Sequence, residues 1–531
     1  MSIGQSYHRS TVGQAWDAIV IGSGIGGLTT AAFLARAGQR VLVLEKHSTA
    51  GGATQTFRRA GYEWDAGLHY MGDVHRPTSG LRQIFDHISG GKLEWAPMPD
   101  VYNRVFIGDR EYEYRSGVQQ FKDRMKEYFP LESGAIDQYV DMVHAANRAA
   151  RPYFAHRSLP RPVGDTLYDD LAAPFRSFAD RTVTEVLTDL TDDAELRAVL
   201  SGHYGDYSLA PGRASFGMHA MLIRHYINGA NFPVGGSARL AETATDVITA
   251  SGGAVLISAE VATVMLDDKG SACGIVMADG RSFRAPLVVS DAGALNTLTR
   301  MVPGEASAPG PLVDSLRAIG PSQTYVMLNI GIRESGDRLD LDPANIWAHA
   351  GPDIDGEIAA FEADPEHHAM PTYFLTFPSL KDPSWESRYP GRTTIDIAGL
   401  TTWSLFEPYA GSAWMRRGAD YERLKGRLTE ELLGQVIRFC PQLEGRIDHT
   451  ELATPLSFNH FLGRERGDFM SLAHTPERFA LRDLGAHTHV PGLLLTGQDV
   501  AAAGVSGAIM GGVVAASAAL ERDVLEDLTT G

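Results

Sequence analysis

The residues best suited to chemistry lie near the start of the chain. Gly22-Ser23-Gly24-Ile25-Gly26-Gly27 sets glycines at 22, 24 and 27, and Glu45 ends the next apolar run. That spacing suits a dinucleotide diphosphate. The first glycine makes a tight turn, the second lets backbone approach the phosphates, and the third lets helix and strand pack closely. A helix opening inside the loop turns its free N–H groups and positive dipole end toward the phosphates. Glu45 can accept hydrogen bonds from ribose hydroxyls, and its charge repels a 2′-phosphate. Loop and acid together leave open whether the dinucleotide is NAD or FAD.

A second group of residues could move protons. His69 and Tyr70 end the run Gly61–Tyr70 (GYEWDAGLHY), and His203–Tyr207 (HYGDY) brings His, Tyr and Asp together. Phe216, His219, Ile223 and Tyr226 share one helical face, a pattern that serves an ordinary core as well as a site. Trp403, Phe406, Tyr409 and Trp414 cluster in TTWSLFEPYAGSAWM. They can line an apolar tunnel, where aromatic faces would stabilise a cation, or simply fill a core. Cys273 and Cys440 are far apart and form no C-x-x-C, so neither a disulfide framework nor a redox pair is indicated. No cluster with metal-ligand spacing is present in the sequence, and no metal is expected.

These residues need a scaffold. Asp17–Gly22 and Val41–Leu44 are short apolar runs flanking the helix-forming stretch Leu28–Ala37, which predicts a β-α-β unit with parallel strands. Ala254–Ile257, Glu260–Leu266, Ala272–Met277 and Leu287–Ser290, with a turn at Asp279-Gly280, predict a meander. Residues 120–230 read as mostly helical. Residues 301–485 mix strands (Tyr325–Ile330, Thr393–Leu400) with a helix near Tyr421–Phe439. Gly492–Leu495 is a strand leading into Ala501–Leu520, which has no charge, contains Gly507-x-x-x-Gly511 and imitates a membrane span. Its Ala, Gly and Ser content, flanked by Asp499 and Glu521, predicts a buried helix instead. The first fifteen residues lack the apolar core of a signal peptide and are expected to be a frayed polar leader.

With 531 residues, 44% apolar and 21% charged, the chain has the composition of a soluble globular enzyme with room for two domains. A net charge of −18 disfavours nucleic acid or an anionic membrane as the main partner. A cytoplasmic location with at most peripheral membrane contact is the expectation.

Further runs decide the family. They are Gly51-Gly52-Ala53-Thr54, Gly61–Tyr70, Phe232-Pro233-Val234-Gly235-Gly236, Thr454-Pro455-Leu456 with Phe461-Leu462-Gly463, and Leu494–Asp499 with Gly504 and Gly507-Ala508. From residue 17 to about 515 the sequence resembles the phytoene desaturase-like flavoproteins, most closely their all-trans-retinol saturase and carotenoid isomerase branch.

The resemblance implies an α/β fold: a glutathione-reductase-like Rossmann FAD-binding domain with an inserted mixed-sheet plus helical substrate domain. The FAD-binding part would comprise residues 1–80, 230–300 and 485–531, and the substrate-binding part 81–229 and 301–484. It would place Gly22, Ser23, Gly24, Ile25, Gly26 and Gly27 on the diphosphate and Glu45 with Lys46 at the adenosine. Gly52, Ala53 and Thr54 would lie beside the ribityl chain, and the backbone of Val261 at the adenine. Gly497, Asp499, Gly504, Ser506 and Gly507 would sit under the ribityl and isoalloxazine. Family members often carry a basic residue where this chain has Ala53. His69 and Tyr70 would fall near the flavin as catalytic candidates, with His460 a further one, and Trp403, Phe406, Tyr409 and Trp414 would be offered to the substrate.

The activity implied is FAD-dependent saturation, desaturation or cis-trans isomerisation of C=C bonds in an apolar polyene or isoprenoid-like substrate, by hydride transfer at flavin N5. There is one dinucleotide fingerprint and no redox cysteine pair, so electrons would come from or go to an external partner. Flavoprotein hydroxylases share the loop, and Val289–Gly293 (VSDAG) resembles one of their motifs with an inserted residue. A monooxygenase or an amine-oxidase-like enzyme is therefore the alternative.

Overall fold

The computed structural model describes residues 2–304, 310–464 and 466–528; the remaining positions inside the expected segments lie outside the described residues. Two large sheets organise it. The first has six strands, in the order Gln5–Ser6, Ala254–Ile257, Val41–Glu45, Ala18–Ile21, Leu287–Ser290, Leu493–Leu495, and every neighbouring pair is parallel. Ala18–Ile21, Val41–Glu45, Ala254–Ile257 and Leu493–Leu495 are buried throughout, as continuous apolar runs covered on both faces must be. The helix Ile25–Arg36 follows the first glycine turn, with all its residues but the last buried, between Ala238–Ala250 and Gly504–Leu520.

The second sheet has seven strands, in the order Ile447–Ala453, Thr324–Ile332, Thr393–Thr401, Thr372–Thr376, Asn345–His349, Val101–Ile107, Arg110–Arg115. It is mixed: only Asn345–His349 and Val101–Ile107 run parallel. One hydrophobic core lies under this sheet, against the helix Ala419–Phe439. The helices between Val118 and Tyr226 belong to a larger core that also takes in the phosphate-loop helix. Helical structure between about 120 and 230 was expected from the scarcity of turn residues, and helices do dominate there.

Two expectations need correction. The meander is narrower than its strand pattern implied. Only Val261–Leu266, Ala272–Met277 and Ser282–Arg284 form the antiparallel sheet, while Ala254–Ile257 and Leu287–Ser290 join the parallel sheet. Period and composition cannot tell a short buried strand of one sheet from its neighbour in another. The leader is not frayed either. Gln5–Ser6 pairs with Leu256–Ile257, and Tyr7 is buried with the Arg281 guanidinium 3.8 Å from its ring centroid and its hydroxyl donating to Asp279 at 2.9 Å. A single tyrosine and a cation from a distant turn anchor a segment whose own composition is polar.

The uncharged C-terminal run forms the helix Gly504–Leu520, largely buried. Among the described residues no helix is long and apolar enough to cross a membrane. Its small residues have a packing reason: a Cβ on Gly512 would lie 2.6 Å from the carbonyl oxygen of Gly26, and one on Gly511 would overlap the carbonyl of Gly497. We therefore expect Gly511→Val to cost several kcal/mol, above the roughly 1–3 kcal/mol typical of overpacking, because backbone rather than a side chain must move. Thermal unfolding of the variant beside Gly434→Ala, a glycine inside the helix Ala419–Phe439 whose Cβ meets nothing within 4 Å, checks this.

Candidate active site

Gly22 leaves the Ala18–Ile21 strand with φ +94°, a conformation glycine adopts without strain, and Gly24 caps the helix. Ser23 donates to Glu45 Oε2 twice, from its backbone nitrogen at 3.0 Å and from its hydroxyl at 2.7 Å. The His47 nitrogen donates to Oε1 at 2.7 Å. Glu45 is thus fixed at the end of its strand beside the loop. Gly51 joins this cluster by donating to the Ser23 carbonyl, and the Gly52–Thr54 turn is held by Thr54 Oγ1 donating to Gly51 O at 2.8 Å. Ala259 donates to the Glu45 carbonyl at 2.8 Å, bringing the strand that begins at Val261 to the same edge. Lys46 is exposed, with its ammonium beside Gly463.

From the other side come Gly497 and Asp499. A Cβ on Gly26 would lie 2.6 Å from the Gly497 Cα, so the Leu493–Leu495 strand delivers its loop directly onto the phosphate-loop helix. Asp499 accepts from the Ala294 nitrogen at 2.7 Å and from Ser471 Oγ. Burial works against its charge, but the Arg464 and Arg478 guanidiniums and these hydrogen bonds hold its carboxyl below the usual carboxylate range. Arg478, itself buried, donates to Leu472 O at 2.6 Å and to Gln498 O at 2.5 Å. Nothing in the sequence pattern marked it.

Asp291 was visible only as a departure from a hydroxylase motif. Its carboxyl faces Gly24, Gly27 and Gly497 closely enough that a Cβ on any of them would press on it, and it accepts from the Gly27 backbone nitrogen. Burial, partly offset by that hydrogen bond, pushes its pKa up to about 7. The glycines of the loop are therefore required by a neighbouring side chain as well as by any phosphate.

Beyond Gly504–Gly507 opens a cavity of about 1050 Å³. Its wall carries Tyr70, Tyr226, Tyr325, Trp347, Phe374 and Phe154, from separate segments of the chain. Tyr70 stacks on Tyr226 at 4.2 Å between centroids, and Trp347 lies 4.5 Å from Phe374. His69 and Tyr70 both border it. His69 is held neutral: burial and then the Lys381 charge lower its pKa to about 3. Its Nδ1 is 3.8 Å from Asp396 Oδ2. Lys381 pins the same loop from behind, donating to His69 O at 3.1 Å, to Thr376 Oγ1 at 2.5 Å and to Asn345 Oδ1. The Tyr70 hydroxyl donates to Asp206 Oδ2 at 2.5 Å.

The clustered aromatics expected at the substrate are elsewhere. Phe406 is fully buried and Trp403 and Tyr409 are packed in the core under the seven-stranded sheet, while Trp414 is 43% exposed and stacks on His460. None of the four, nor His460, borders the cavity. The segment folds as two short turns against the helix Ala419–Phe439, so proximity in sequence satisfied local packing. His219 is buried within the helix core against the Tyr139 hydroxyl at 2.8 Å and away from the cavity wall. Among the described residues no group of acids, histidines or cysteines is arranged for a metal ion.

A parallel sheet, a glycine turn capping a helix, a glutamate fixed at the end of the next strand and a second helix N-terminus at a mainly apolar cavity define an oxidoreductase with a flavin-type dinucleotide cofactor. Residues 20–88 match the NAD(P)-binding Rossmann-like domain model. The chain is 35% identical to human all-trans-retinol 13,14-reductase over 99% of its own length and 88% of the relative's, and it belongs to that family. It is also 26% identical to the chloroplastic prolycopene isomerase of Arabidopsis thaliana, over 96% of this chain and 84% of that one. Putrescine oxidase, solved with putrescine bound, shares the fold with a TM-score of 0.62 at 14% identity, over 96% of this chain and 99% of that one.

Asp291 gives a pH test. Its carboxyl ionises near the ordinary 3.8 when unfolded and only near about 7 when folded. Between those values the folded state keeps a proton that the unfolded state has lost, so this group's contribution to stability falls as pH rises through that window. Asp291→Asn keeps an acceptor for Gly27 and removes the ionisation. The variant's stability relative to wild type should therefore improve from pH 4 to pH 8, as read by chemical denaturation. An unchanged difference across that range would remove Asp291 from the buried-acid class.

Proposed function

We propose that the protein is an FAD-dependent oxidoreductase that reduces a carbon–carbon double bond in an elongated, apolar, conjugated isoprenoid. The observation that carries this reading is the cavity. It begins at the N-terminus of Gly504–Leu520 and continues between aromatic and aliphatic walls, with polar side chains such as Asn147, Asp206 and Arg224 set among them. A space of this volume with a mainly apolar wall suits a polyene chain. The names borne by the relatives, a retinol reductase and a carotene isomerase, point the same way.

FAD, when bound, supplies two-electron transfer at its ring. Gly22–Gly27 and the helix N-terminus behind them would hold its diphosphate and Glu45 its ribose, with Gly52–Thr54 and Asp499 along the ribityl chain. The fit rests on the chain itself, where the helix Ile25–Arg36 opens on Gly24 with no side-chain cap and Glu45 stands at the strand end with its carboxylate fixed. The N-terminus of Gly504–Leu520 contributes a positive dipole end that favours negative charge on a reduced ring. His69, kept neutral, orients without adding a charge. The chain has one glycine fingerprint, so the reading assigns the electron source to a separate donor.

Two measurements test the proposal. Denaturation should release FAD rather than FMN, and Gly24→Val should lose the flavin, because its side chain collides with Asp291 and displaces the loop. Anaerobic, photoreduced protein mixed with all-trans-retinol should reoxidise and return a product heavier by two hydrogens. Unchanged mass with an altered spectrum would replace reduction by isomerisation. Reoxidation by no polyene, with reduction of the oxidised protein by primary amines, would replace the reading by an amine oxidase.

A further inference from the structure

The reduction of an isolated polyene raises a problem that the cofactor site does not solve. A conjugated hydrocarbon has no carbonyl on which negative charge can settle, so a proton must reach the chain early. His69 carries no proton to give, because burial keeps the imidazole neutral.

Asp206 has the placement that His69 lacks. It sits in the short helical turn Tyr204–Tyr207 and borders the cavity. Its carboxyl makes one side-chain hydrogen bond among the described residues, accepting from the Tyr70 hydroxyl at 2.5 Å. Among the described residues no arginine, lysine or histidine side chain pairs with it. The titratable groups that couple to it are the phenols of Tyr70, Tyr102, Tyr207, Tyr226 and Tyr325, and its backbone nitrogen donates to His203 O, whose imidazole is itself kept neutral by burial. A half-buried carboxyl facing phenols, with no cation beside it, favours its protonated form. Burial raises its pKa to about 7, against a smaller opposing effect of the Tyr70 hydrogen bond. Its immediate neighbour at the cavity is the stacked pair Tyr70 and Tyr226, with Phe374 at 6.0 Å from Tyr70.

We propose that Asp206, steadied by the Tyr70 hydroxyl, is the acid that protonates the double bond of the substrate. The proposal rests on the polyene reading above. The carboxyl O–H breaks, and the π pair of the double bond forms the new C–H bond. The cation left on the chain is delocalised over the remaining double bonds and faced by Tyr70, Tyr226 and Phe374. The carboxylate that remains keeps the Tyr70 hydrogen bond, now charge-assisted and stronger. The reduced dinucleotide, when bound, would supply a hydride, one proton with two electrons, that adds to the cation and completes saturation. When no such delivery follows, rotation about the former double bond and return of the proton to Asp206 gives a redox-neutral isomer.

The test uses the full-length holoprotein and three proteins: wild type, Asp206→Asn and Tyr70→Phe. With all-trans-retinol as the probe, anaerobic single-turnover reoxidation of wild type should fall as pH rises through about 7. Asp206→Asn should retain its flavin with no loss of thermal midpoint, react about 10²–10⁴-fold more slowly, and show no such limb. It should also lose a protonated-carboxyl band from the infrared spectrum of the resting protein, a readout that needs no turnover. Tyr70→Phe removes the hydrogen bond that lowers the Asp206 pKa, so its limb should move to higher pH, a shift that a merely structural tyrosine would not produce. Wild-type rates in Asp206→Asn, or an unmoved limb in Tyr70→Phe, overturn the assignment, and the second result stands even if Asp206→Asn fails to fold. If wild type turns over no polyene, the substrate reading has failed. The infrared comparison then decides the acid separately: retention of the full carboxyl signal in Asp206→Asn overturns a protonated Asp206.

Discussion

The structure depends on how closely three pieces of backbone approach one another. Gly26, Gly497 and the Gly511-Gly512 pair meet where no Cβ fits between them, and buried hydroxyls lock the contact: Thr30 Oγ1 donates to Gly512 O at 3.2 Å and lies 2.9 Å from Thr496 Oγ1. Because this is backbone against backbone, it cannot relax by a change of rotamer. The N-terminus of the phosphate-loop helix, the last strand of the parallel sheet and the start of the C-terminal helix are thereby fixed as one body. Everything that would touch a dinucleotide hangs on it: Glu45 through Ser23, Gly52–Thr54 through Gly51, and Asp499 through the loop that Arg478 ties down.

The same contact explains why the cavity begins where it does. The C-terminal helix presents Gly504–Gly507 to open space while its later turns are wedged against Gly26 and Thr29. The opposite wall comes from the seven-stranded sheet, which contributes Tyr325, Trp347 and Phe374, and from the helix Phe216–Tyr226, which contributes Tyr226. The loop with His69 and Tyr70 bridges the two, held from behind by Lys381. That ammonium donates to three acceptors, and Asp396 and Asp65 pull against the burial that lowers its pKa. Lys381 does not border the cavity, so it anchors the loop behind the wall and has no path to a substrate there.

Much of this was legible in the residues. A glycine turn, a strand and a helix carry strong local signals because each glycine answers a backbone requirement, and so the parallel core, Glu45 and the buried C-terminal helix could be placed in advance. The cavity wall was not legible. Its aromatics are scattered from Tyr70 to Phe374, and only the register of distant strands brings them together, whereas the conspicuous run Trp403–Trp414 closed a local core. Asp291, Arg478 and Lys381 escaped for a related reason: a buried charged residue has no periodic signature, and its partners are backbone carbonyls and amides that the sequence does not display. Asp206 stood in a motif already noted for its proton donors, but nothing in HYGDY separates the one polar side chain that reaches the cavity from the three that do not.

The two carboxyls at the ends of the site show how environment assigns a charge state. Asp499 is buried and Asp206 is half-buried at the cavity wall, and desolvation alone would favour the protonated form of both. Asp499 has Arg464, Arg478 and two donors around it, and it is held ionised. Asp206 has phenols, and its pKa rises to about 7. A fixed negative charge at the cofactor end organises backbone N–H groups and a buried guanidinium, and it need not change during the reaction. A neutral acid in the aromatic chamber can lose its proton and regain it without an ion pair having to break. Exchanging the two environments would leave a carboxylate facing a hydrocarbon and an uncharged group among arginines, which is costly at both ends. Separating the two roles by surroundings rather than by residue type lets one buried core hold a charge and release a proton at the same pH.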